Sequence, residues 1–236
     1  MIPLYTRYIT PAGYGTLDLL ETITSAVAIL VSMGISEGMS RFYYAEQDDS
    51  RRNEVISTII LGFSLVGIGV TLLFEAGCGY MAQAVFGGTE YRYYLQIAIA
   101  SVWFSMLCEI AFTYLRMKYM AKQFVVISML QVFLALSLNV YFIVIAKINI
   151  LGVLYSTLIS QGLVALLLSS VILRQVGTRV SWPTLWKLMS FGLPLGPARI
   201  ALLLGFASNR FFLVWLSPAT PAVALAQVVL LSLGHK

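Results

Sequence analysis

Long apolar runs alternate with short polar stretches along the chain. The runs at 17–40, 54–74, 95–115, 124–146, 150–173 and 185–206 each hold about the ~20 residues a helix needs to cross a hydrocarbon core. A further apolar stretch, 221–233, would begin a seventh. The runs are continuous rather than alternating, which predicts helices and not the strands of a membrane barrel. The expected fold class is an all-α, polytopic transmembrane helix bundle of about six full spans and a partial seventh.

Composition agrees with this pattern. The 236 residues are 59% hydrophobic and 11% charged, whereas a water-soluble domain is roughly half apolar and about a quarter charged. The net charge of +5 sits in short loops, which argues against nucleic acid as a partner. Residues 41–52 carry Arg41, Arg51 and Arg52; residues 116–123 carry Arg116, Lys118 and Lys122; residues 174–187 carry Arg174, Arg179 and Lys187. The alternate loops hold one each, Arg92, Lys147 and Arg210, and Arg7 precedes the first span. Excess basic charge marks cytoplasmic loops, so the three-charge loops are expected inside a multi-pass protein of the inner (plasma) membrane. The N-terminus then lies outside, and without the apolar core of a signal peptide this suggests a helix upstream. Tyrosines and tryptophans near the span ends, Trp182 and Trp186 among them, fit interfacial anchoring.

Two cysteines and one histidine leave metal-ligand and Cys/His catalytic patterns essentially absent, and no cofactor is expected. Cys78 is placed near one membrane face and Cys108 toward the other, too far apart for a disulfide.

Charges inside the spans carry the candidate chemistry, because they are costly there and usually face a bundle interior or a watery cavity. Arg199 lies well inside the run 185–206, after Pro194 and Pro197, which should kink or break the helix. Arg210 follows eleven residues on, about three turns and roughly 16 Å along one face. Two guanidinium groups so placed could grip a phosphate with paired donors. Alternatively, Arg199 pairs with an intramembrane acid and Arg210 snorkels to the interface. Asp18 and Glu21 open the first span, three residues apart, as a cation or substrate site or as acids favoured by the helix dipole. Glu37 lies between Gly34 and Gly38, a small-residue step that lets another helix approach, and four residues before Arg41, with which it can pair. Glu109 has no basic residue within a turn below it, Arg116 being about two turns away, so it is a partner for Arg199 or a protonatable site. The stretch EQDDSRRNE, 46–54, reads as a solvated loop and helix start rather than a metal site.

Two further stretches, LYTRYITPAGYGTLDLLETI and MGISEGMSRFYYAEQDDSRRNEVIST, resemble the opening of the bacterial polysaccharide-biosynthesis flippases, the Wzx-like members of the multidrug/oligosaccharidyl-lipid/polysaccharide superfamily. Thr10, Pro11, Tyr14 and Gly15 match one motif, and Met33, Gly34, Arg41, Phe42 and Tyr43 another. Phe191, Gly192 and Pro194 match the first helix of that family's second half, where Asn209-Arg210 replaces an Asp-Arg pair.

The resemblance implies a MATE-like lobe of a two-lobe transporter, with residues 1–184 as a first-lobe bundle lacking its first helix and 185–236 as the start of a second lobe. It implies alternating access that moves an undecaprenyl-diphosphate-linked oligosaccharide to the outer leaflet for surface polysaccharide such as lipopolysaccharide O-antigen. It implies that cationic residues of the cavity hold the diphosphate and sugar; on the reading of the residues themselves, Arg199, Arg210 and Arg41 are expected on the substrate, with Glu109, Asp18, Glu21 and Glu37 as ion-coupling groups or charge partners. The partners it implies are the lipid-linked oligosaccharide, membrane lipids and polysaccharide polymerase machinery. Another exporter of the superfamily, for drugs or lipid intermediates, and a non-functional remnant are the alternatives. A membrane enzyme would need a catalytic cluster, for which Glu46, Asp48 and Asp49 are the sole candidates, so the protein is expected not to be an enzyme.

Overall fold

The structure, a computed structural model, describes residues 11–32, 34–198 and 201. The chain divides into two compact units, 1–193 and 194–236. In the first unit α1 runs Pro11–Ser32, α2 Ile35–Ala45 and α3 Asp49–Thr58, which passes through a π-helical turn, Ile59–Phe63, into α4, Ser64–Phe86. Next come α5, Arg92–Met117, and α6, Ala121–Val140, which ends in a π turn, Tyr141–Ile145. Finally α7 spans Asn149–Val176 and α8 Trp182–Gly192. In the second unit, residues 195–198 are helical. No strand occurs among the described residues.

Five stretches among these residues are long and apolar enough to cross a membrane: Gly15–Ala45, Asp49–Phe86, Arg92–Met117, Ala121–Ile145 and Asn149–Val176. The bundle is therefore all-α and polytopic. The stretches expected at 185–206 and 221–233 extend beyond the described residues.

The central helix is α5, with fourteen of its 26 residues buried, packed by α1, α2, α4, α6 and α7. Its neighbour α6 is the opposite case, with Asn139 as its sole buried residue and Val126, Leu130 and Phe133 exposed. A helix apolar all round is stable with one side open only if that side meets lipid.

Three boundaries differ from the sequence reading. The first span is interrupted at Gly34, in the left-handed region at φ 67, so α1 and α2 are separate segments. Glycine tolerates this conformation and other residues resist it. The second span does not stop near 74. Its helix continues to Phe86, because Cys78 and Ala82 pack with Leu20, Leu95 and Ile99 in a second core at that end of the bundle. Packing thus sustains a helix where hydropathy fades. The run from 185 begins at Trp182, and α8 closes at Gly192 before a turn at Leu193 and Pro194. The proline has no N–H to give and disfavours helix in the residue before it.

Glycines set several close approaches. On Gly62, in the first π turn, a Cβ would stand 2.7 Å from Leu185 Cδ1. On Gly38 it would touch Leu188 at 3.4 Å and Phe191 at 3.6 Å. The close helix contact expected at the Gly34/Gly38 step thus falls on Gly38, while Gly34 forms the break.

Cys78 and Cys108 are both free and buried. Neither should react with a maleimide in folded, detergent-solubilised protein, and both should label once the chain is denatured; mass spectrometry before and after denaturation reads this. On Gly152 a Cβ would lie 2.9 Å from Phe142 Cβ and 3.3 Å from its carbonyl carbon, atoms that cannot swing away. Gly152→Ala should cost about 1–3 kcal/mol. Gly79→Ala, with nothing within 4 Å, should change stability by no more than about 0.5 kcal/mol. Thermal denaturation of both variants in one detergent is the check.

Candidate functional site

The site is built where α2 crosses α5. Glu109, Thr113 and Arg116 are spaced i, i+4 and i+7, so they line one face of α5. Gly34 redirects the backbone just before Ser36, which begins α2 on the facing side. The Ser36 hydroxyl donates to Glu109 Oε1 at 2.7 Å. Thr113 Oγ1 donates to Ser36 Oγ at 3.2 Å, and Arg116 donates to Thr113 Oγ1 at 2.9 Å. One directed chain of hydrogen bonds therefore joins a guanidinium to a carboxylate. Glu109 is half-buried and lies eight residues above Met117, about 12 Å inside the end of α5. The sequence reading put Arg116 out of reach, two turns away; two hydroxyls close that gap. The spacing of Glu109, Thr113 and Arg116 was available from sequence, whereas Ser36 depends on the break at Gly34.

The three basic loops meet at one end of the bundle. Tyr44 OH donates to Met117 O at 3.2 Å, joining the ends of α2 and α5. Arg52 and Lys118 both stand over the Tyr43 ring, at 5.4 Å and 5.6 Å. The Tyr43 phenol beside Lys118, which follows the end of α5, raises the pKa of that ammonium above its usual value. Ser57 Oγ donates to Arg179 O, and Ser181 N donates to Thr58 Oγ1 at 2.9 Å, tying the third loop to α3. Arg41 is exposed, its guanidinium 4.6 Å from the Phe191 ring centroid. Arg116 lies 6.0 Å from the Phe124 ring centroid.

Other expected site residues fall elsewhere. Arg199 and Arg210 lie outside the described residues. Asp18 and Glu21 do not open their helix. It starts at Pro11 and has no acid in its first turn, so the dipole argument for them lapses, since that effect fades within the first turn. Asp18 is half-buried, and Glu21 and Glu37 are exposed. A further acid, Glu75, lies within α4 and was missed because the span was ended at 74.

The stretch 46–54 is a loop and helix start, as expected. Asp48 caps α3 by accepting from Ser50 N, Arg52 donates to Glu46 O at 2.8 Å, and Arg52 and Asp49 pair at 3.3 Å. Among the described residues no group of acids, histidines and cysteines is arranged to hold a metal ion.

No curated protein and no solved structure matches the chain. A family model described as "polysaccharide biosynthesis protein" matches residues 1–228. That match takes in nearly the whole of the 236 residues, α1 to α8 included. This membrane-embedded helical chain belongs to the polysaccharide biosynthesis protein family.

Proposed function

We propose that the protein transports a lipid-linked oligosaccharide, an undecaprenyl-diphosphate glycan, from the cytoplasmic to the outer leaflet, and that it is not an enzyme. The observation that carries this reading is the chain Glu109–Ser36–Thr113–Arg116. A half-buried acid side chain held by the Ser36 hydroxyl at membrane depth is costly in a purely structural bundle and fits a polar path. The family membership supplies the polysaccharide context. Of the three acids that an enzyme could use, Glu46 and Asp49 are paired with arginines of their own loop and Asp48 caps α3.

In this reading the basic end of the bundle faces the cytoplasm, where Arg41 and Arg116 present donors to the diphosphate. Arg199 and Arg210 remain candidates for the same group. Glu109 repels the anionic headgroup or exchanges a cation or proton as the path changes sides. The break at Gly34 is the point about which α2 shifts against α5. Asp18, Glu21 and Glu37 remain coupling or charge-partner candidates on the α1–α2 side.

The test is restoration of surface polysaccharide in cells lacking the protein. The parent protein should restore it. Glu109→Gln, still inserted in the membrane, should lower export by roughly tenfold or more, the scale of losing a hydrogen bond to a charged group. Ser36→Ala should give a smaller loss. Normal export by Glu109→Gln would make the network a packing feature and remove the support for this reading.

A further inference from the structure

The short helix α8 is expected from its apolar run to start a span, but its contacts run across the bundle instead. Its entry is tied to the end of α3, through Ser57 with Arg179 O and Thr58 with Ser181 N. Leu185 then packs on Gly62, in the π turn beyond α3. Leu188 moves over to Gly38 of α2. Phe191 reaches Phe42, with ring centroids 6.1 Å apart, and the Arg41 guanidinium. Along α2, passing from Gly38 to Phe42 is passing back toward the basic end. A helix climbing into the bilayer would leave that end behind. At 11 residues α8 is about 16 Å long, half of a ~30 Å hydrocarbon core.

Its two faces are chemically distinct. Leu185, Leu188 and Gly192 are buried against the bundle. Trp182 and Trp186, one turn apart, are 68% and 67% exposed. Lys187 is also exposed, as are Arg174 and Arg179 just before the helix. Tryptophan with an apolar body and a polar N–H favours the headgroup level of a bilayer, and adjacent lysine and arginine favour anionic lipid.

We propose that α8 is an in-plane interfacial helix that binds the anionic headgroup layer of the membrane through Trp182, Trp186, Arg179 and Lys187. Docked on α2 and on the π turn, it ties the site-bearing segment of α2 to the membrane surface. This placement stands whether or not the protein moves oligosaccharide.

The experiment uses the full chain in phosphatidylcholine vesicles containing lipids brominated either near the top or near the end of the acyl chain. Fluorescence quenching of the parent is compared with that of W182F/W186F, and the difference reports α8. An in-plane helix sits ~5–10 Å into the headgroup–acyl boundary, so shallow bromines should quench this signal about twofold more than deep ones. Replacing part of the lipid with spin-labelled phosphatidylglycerol should quench it further. R179Q/K187Q should weaken that extra quenching by at least about fivefold, since each basic residue near an anionic surface contributes about a fivefold preference. Deep quenching equal to or above shallow would show a spanning segment, and no lipid quenching would show the face covered by protein; either overturns the proposal. The two tryptophans are exposed, so the substitutions should spare folding, and the single variants W182F and W186F give the same reading separately.

Discussion

In hydrocarbon, a backbone N–H has no water to bond, so every amide must find a partner within the protein. The helices Pro11–Ser32, Arg92–Met117 and Asn149–Val176 satisfy that condition internally whatever their side chains do. Two departures from the regular helix lie where protein covers them. The left-handed Gly34 is buried beside the α2–α5 contact, and the π turn at Ile59–Phe63 lies under Leu185, with Trp103 Nε1 donating to Ser64 O at 3.1 Å just beyond it. The polar network and the transverse helix are both attached to these two irregularities. Regular helix supplies the walls, and its interruptions place the chemistry.

Within that frame α5 is the pivot. It is buried on most of its surface and reaches every membrane-crossing segment of the first unit. It therefore has little freedom to move without disturbing the apolar core around Val102, Met106, Ile110 and Tyr114. The segment α2 is different. It is short, set off by Gly34, and held to α5 by Ser36 with Glu109 and Tyr44 with Met117. A rigid central helix facing a short hinged one is an arrangement in which small rearrangements of a few hydrogen bonds can be amplified.

Much of this was legible in the sequence, and the reasons for the exceptions are physical. The continuity and length of the apolar runs define the spans because the bilayer sets a minimum length. Alternation of loop charge foretold that Arg52, Lys118 and Arg179 would gather at one end. Hydropathy misjudged the second span because Glu75–Phe86 is held helical by Leu20, Leu95 and Ile99, residues distant in sequence. It placed Asp18 and Glu21 at a helix start because the helix actually starts at Pro11, in a stretch that reads as a loop. Glu109 was legible as an isolated intramembrane acid. Its partner Ser36 was not, since Ser36 is brought to it by the backbone turn at Gly34 and by the crossing of two helices.

The direction of the hydrogen bonds in the site follows from the charges at its ends. A guanidinium can only donate, so Thr113 must accept from Arg116 and spend its one proton on Ser36. Ser36 in turn donates its hydrogen bond to Glu109 Oε1. Two hydroxyls thus bridge Arg116 and Glu109, which stand about two turns apart on α5. Arg116 stays exposed with further N–H groups to offer, while Glu109 is half-buried. A directly paired Glu and Arg would be a settled structural element with strong geometric demands. A pair bridged by hydroxyls can exchange partners by opening one weak link, which changes the field at both ends. That property distinguishes the α2–α5 crossing from the ordinary packing of the bundle.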